Sequence, residues 1–161
     1  MFEHKESYIH LLAKEVLKRW LDTSATKKTR THFDLFSYTP NRKSGVFLEY
    51  PIVAKDDYNS LEYSFDVLEL DENNEEKKEY IPTYEECINK YNIKPLSMID
   101  LVIIDNEKPK YLVEICYSNP VSKYKIELLK RLGVKNLIEI NAIDILKQIK
   151  KPSRLNYKKL I

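Results

Sequence analysis

Two carboxylates set inside hydrophobic runs constrain this chain more than any other feature. The stretch Met98–Lys125 reads MIDLVIIDNEKPKYLVEICYSNPVSKYK. It holds two runs rich in Ile, Val and Leu, Met98–Ile104 and Lys110–Tyr117, as expected of buried strands. Between them Asp105-Asn106-Glu107-Lys108-Pro109 is a polar connection of hairpin type. Asp100 interrupts the first run and Glu114 the second. A carboxylate in a buried strand costs several kcal/mol unless it is paired or binds a metal. Two of them on neighbouring strands point to a metal site suited to phosphoryl chemistry, against the alternative of a capped or salt-bridged structural pair.

The rest of the chain supplies elements around this hairpin. Residues 7–21 read as a helix with Ser7 as N-cap and an apolar stripe of Ile9, Leu12, Val16 and Trp20. His10 and Lys14 are four apart and share a face of it. Residues 22–45 read as a loop with one short strand, Thr31–Tyr38. Its Lys27, Lys28, Arg30, Arg42 and Lys43 are either phosphate contacts or a solvated basic loop.

Val46–Val53 reads as a strand, with Val46, Leu48, Tyr50 and Ile52 on one face and Phe47, Glu49 and Pro51 on the other. Leu61–Leu70 reads as its hairpin partner. Pro82–Tyr91 reads as a helix with Thr83 as a cap, inside an insertion spanning 71–97. Val121–Leu132 reads as a helix with Val121, Ile126, Leu129 and Leu132 buried, and Lys123, Tyr124, Lys125, Lys130 and Arg131 on its exposed surface. Gly133 suits its C-terminal stop. Asn136–Asn141 then reads as a strand parallel to 110–117, and Ala142–Ile149 as a helix. Lys150–Ile161 reads as a basic arm or interface segment. The fold class is α/β with a mixed central sheet flanked by helices, in a single domain.

These residues resemble a known family. Asp100 followed by Glu114-Ile115-Cys116 looks like the Asp…Glu-x-Lys core of the PD-(D/E)xK nuclease superfamily. Glu114 to Ser118 looks like the E-I-Q-x-S signature of its competence protein CoiA-like branch. His10-Leu11-Leu12-Ala13-Lys14 resembles that branch's H-x-x-A-K, and Leu48-Glu49-Tyr50 its early strand glutamate. Asp66-Val67 also mimics the branch's D-V dipeptide. Asp100 is preferred because it lies 14 residues before Glu114 rather than 48.

The resemblance implies a restriction-endonuclease-like core with an insertion. It also implies a nuclease that cleaves DNA with Mg²⁺ or Mn²⁺. Asp100, Glu114 and the main-chain carbonyl of Ile115 would ligate the metal, with Glu49 as a third carboxylate. His10 and Lys14 would overlook the site. Cys116 stands where the nucleases carry Lys and the CoiA-like branch carries Gln. A cysteine cannot hold positive charge, so either a migrated lysine, Lys14 or Lys123, does that work, or the chain is a catalytically weak or inactive nuclease-fold protein that binds nucleic acid or a protein partner. A small buried residue is the plainer reading of Cys116.

Composition narrows the alternatives. With 27 basic and 25 acidic residues the net charge is +2, so a basic surface for DNA must be local. Cys87 and Cys116 make no disulfide framework, which favours a reducing cytosol, or a host cytosol or nucleus for a viral chain. No apolar run reaches about 18 residues, so no membrane partner is expected, and the first eight residues are too polar for a signal peptide. DNA and a homodimeric second copy are the expected partners. There is no P-loop, dinucleotide fingerprint or zinc-finger spacing.

Overall fold

The structure is a computed structural model that describes residues 7–27, 45–53, 83–90, 92–105, 108–148 and 156–161. In chain order the elements are α1 (Tyr8–Lys27), β1 (Gly45–Ile52), α2 (Tyr84–Asn89), β2 (Ser97–Asp105), β3 (Lys108–Cys116), α3 (Lys123–Arg131), β4 (Leu137–Asn141), α4 (Ala142–Leu146) and β5 (Tyr157–Lys159). The expected strands 31–38 and 61–70, with Asp66, lie outside the described residues.

The five strands form one mixed sheet in the order β1-β2-β3-β4-β5. β1, β2 and β3 run antiparallel in turn, and β3 pairs with β4 in parallel through the α3 crossover. Helices cover the sheet, so the α/β mixed-sheet expectation holds. The described end of the segment read as a basic arm or interface segment forms β5, antiparallel to β4, with Leu160 and Ile161 packed against a core.

The pattern of apolar residues builds two cores. α1 buries Ala13, Val16, Leu17, Trp20 and Leu21 at helical spacing. With α4 it covers Val46, Leu101, Ile103, Val113, Ile115, Ile138 and Ile140 of the sheet. α3 covers the opposite face with Leu129, over Tyr50, Ile52, Ile99, Val102, Ile104, Leu112 and Leu137. Ser7 caps α1 as expected, accepting the His10 N–H at 3.2 Å. Thr83 closes a full capping box on α2 with Glu86.

One expectation about β1 is corrected. Val46 and Leu48 face the α1 side, but Tyr50 and Ile52 face the α3 side. Alternation turns over at Glu49, whose φ of 52° is left-handed. β2 turns over at the facing position, since Ile99 lies on the α3 side and Leu101 on the α1 side. The flanking pairs Leu48↔Leu101 and Tyr50↔Ile99 place Glu49 and Asp100 opposite one another at this break.

Candidate functional site

The break positions the polar groups. β2 and β3 pair as far as Leu101↔Val113, and the ladder stops there. The Asp100 carboxylate takes over beyond it: Oδ2 accepts the Ile115 N–H at 2.8 Å. A side chain thus replaces a strand's backbone acceptor, and the two strands open at the level of Asp100 and Glu114.

His10 reaches the opening from the first turns of α1. Its Nε2 lies 2.7 Å from the Ile115 carbonyl and 3.1 Å from Asp100 Oδ2. A carbonyl only accepts, so Nε2 carries the hydrogen and shares it between both oxygens. One turn on, the Lys14 side chain is 1% exposed and donates to Glu49 Oε1. The His10/Lys14 face therefore overlooks strand carboxylates rather than forming a surface pair.

Glu114 lies beneath α3 and hydrogen-bonds Asp100 across the opening. Only 7% of it is exposed. Lys125 Nζ lies 2.7 Å from its Oε1 and donates to the Met98 carbonyl, also at 2.7 Å. Lys125 thus bridges the buried Glu114 carboxyl and the β2 backbone. Lys125 was expected on the exposed surface of its helix. It is half-buried and turned inward, because α3 starts late, at Lys123, and its first turn lies over Glu114.

The two carboxyls are set apart electrostatically. Burial, then the charge of Asp100, push Glu114 up to about 8, against the pull of Lys125. Burial also opposes the charge of Asp100. The His10 hydrogen bond, the Ile115 N–H, the His10 charge and a hydrogen bond from Glu114 outweigh it and hold Asp100 below the ordinary aspartate range. One carboxyl keeps its proton near neutrality while its neighbour stays ionised.

Cys116 shares the Glu114 face of β3, one alternation further on, and meets Glu139 rather than this pair. Burial, then Glu139 on β4, push its thiol up, with Asp144 of α4 adding to the effect. That leaves a protonated, weak nucleophile. Glu139 Oε2 also accepts the Val121 N–H at 2.8 Å and so holds the approach to α3. Sequence reasoning missed both Glu139 and the inward Lys125. Glu139 was visible as an acid between Ile138 and Ile140 in a strand. For Lys125 the signal was a lysine-rich first helical turn.

Among the described residues no three His, Cys, Asp or Glu side chains converge on one point. No helix among them is long and apolar enough to cross a membrane. No protein-family profile, curated protein or solved structure matches the chain.

Proposed function

We propose that this chain is a metal-dependent nuclease that cleaves DNA phosphodiester bonds, built on the restriction-endonuclease-like core of the PD-(D/E)xK enzymes. The element order supports it: one helix, three antiparallel strands, a crossover helix and a parallel strand, with α2 inserted between the first two strands. The observation that carries it is the opening between β2 and β3. There two mutually perturbing carboxyls, hydrogen-bonded to one another, stand beside the Ile115 carbonyl.

These groups fit a hard divalent cation. Mg²⁺ binds through one or two carboxylates and keeps several waters, so a third acidic side chain is not required. Asp100, Glu114 and the Ile115 carbonyl would hold it, where it would offset phosphate charge and make a water nucleophilic. In the chain as described, the positive groups at these oxygens are its own: the His10 N–H on Asp100 and Ile115, and Lys125 on Glu114. They orient the two acids, which hydrogen-bond each other. Glu49 stands across from Asp100 with its carboxylate on Lys14, a reserve acid on the same rim.

Calorimetric titration with Mn²⁺, alongside cleavage of single- and double-stranded DNA with and without chelator, tests this reading. Wild type is expected to bind Mn²⁺ and cleave only in its presence, and Asp100→Asn to lose both. Equal Mn²⁺ isotherms for the two proteins would remove Asp100 as a ligand and the reading with it.

A further inference from the structure

We infer that Lys125, rooted on α3, is the lysine of the catalytic site, delivering from the crossover helix the ammonium that β3 lacks at Cys116. This rests on the nuclease reading and goes beyond it by naming the cation.

Three observations converge. Strand alternation puts Glu114 and Cys116 on the same face of β3, about 7 Å apart along the strand. The first turn of α3 lies over that face, and Lys125 Nζ sits 2.7 Å from Glu114 Oε1. A lysine rooted at 116 would bring its ammonium into the same space, so 116 and 125 are alternative roots for one charge.

The second observation is anchorage. The Ser122 hydroxyl accepts the Lys125 N–H at 3.1 Å, Glu139 holds the Val121 N–H, and the Met98 carbonyl accepts from Nζ at 2.7 Å. The ammonium itself is held by the Met98 carbonyl of β2 and by Glu114 of β3, while Ser122 and Glu139 fix the backbone at the start of the helix that carries it.

The third is a broken local rule. The first turn of α3 holds Lys123 and Lys125 and no acid. Positive charge there opposes the helix dipole. Residues that violate a local preference and are held instead by tertiary contacts, as Lys125 is by Glu114 and Met98, are expected at functional sites. Of the two lysines the sequence offered, Lys14 donates to Glu49 instead and Lys123 is exposed on α3.

The experiment moves the charge. Cleavage of DNA with Mn²⁺ is measured for wild type, Asp100→Asn, Lys125→Met, Lys125→Gln and the double variant Lys125→Met/Cys116→Lys, with Mn²⁺ affinity and thermal unfolding for each. Lys125→Gln can still donate to the Met98 carbonyl, so it keeps the anchor and removes the charge. Both single Lys125 variants should lose kcat by on the order of 10²-fold, with Mn²⁺ affinity changed much less. The double variant should recover at least about tenfold in kcat. A purely structural lysine would not be rescued from another strand position.

If wild type cleaves and Lys125→Gln matches it, or the double variant is no better than Lys125→Met, the assignment of Lys125 fails while the nuclease stands. If wild type does not cleave, the nuclease reading fails and Lys125 falls with it.

Discussion

Glu114 binds its proton more tightly in the folded chain, because burial and the charge of Asp100 both oppose its ionisation there. Between about pH 4.5 and about 8 the folded state therefore holds more protons than the unfolded one, and its stability falls as pH rises through that window. Asp100, lowered in the fold, acts in the opposite sense: its contribution is lost as pH falls below the ordinary aspartate range. Glu114→Gln should flatten the decline on the alkaline side and leave the acid-side loss in place, as read from urea unfolding across pH. It should also abolish metal-dependent cleavage without loss of fold. An unchanged slope in the variant would assign the pH dependence to another group. The sequence marked Asp100 and Glu114 because acids inside Ile-Val-Leu runs are costly. It could not say which would keep its proton, since that depends on His10, 90 residues from Asp100, and on Lys125.

The helix that carries Lys125 is capped at both ends. At its start the Ser122 hydroxyl caps Lys125. At its end Gly133 takes φ 87°, its N–H bonds Lys130 O, and the Val134 N–H bonds Leu129 O. This is the Schellman arrangement, with Val134 and Leu129 sharing the second core. An added Cβ at Gly133 meets nothing within 4 Å, so the cost of Gly133→Ala is conformational alone. It should destabilise by about 1–2 kcal/mol, and Ser122→Ala by about 1 kcal/mol, both read as midpoint shifts in urea. Only the Ser122 change alters the end that holds Lys125. It should therefore lower cleavage beyond its effect on stability, whereas Gly133→Ala should not. Equal effects of the two on kcat would disconnect the cap from the site.

Across the whole molecule, the sheet continues to its last residues. The N–H groups of Leu160 and Ile161 both bond the Leu137 carbonyl, and their side chains pack on the α3-side core. Deleting 156–161 should lower stability by about 2 kcal/mol or more and uncover the β4 edge beside Ile138 and Ile140. A truncated chain with the wild-type unfolding midpoint would show β5 to be dispensable. β4 carries Glu139, which holds the start of α3, so the same deletion should also weaken cleavage.

The sequence by itself determined the elements of the core and the two acids at its centre. Strand runs, caps at Ser7 and Thr83, a stop at Gly133 and a parallel crossover are all short-range patterns written in consecutive residues. The His10/Lys14 face was legible for the same reason, because helical spacing fixes which residues point together. Tertiary structure alone decided the turnover at Glu49 and Asp100, since one left-handed residue reverses every later side chain and no alternation pattern announces it. It alone decided that a lysine counted as surface would point inward, because that depends on where α3 crosses β3. The proton balance between Asp100 and Glu114 was also left to it, as charges act through distance in space and not along the chain.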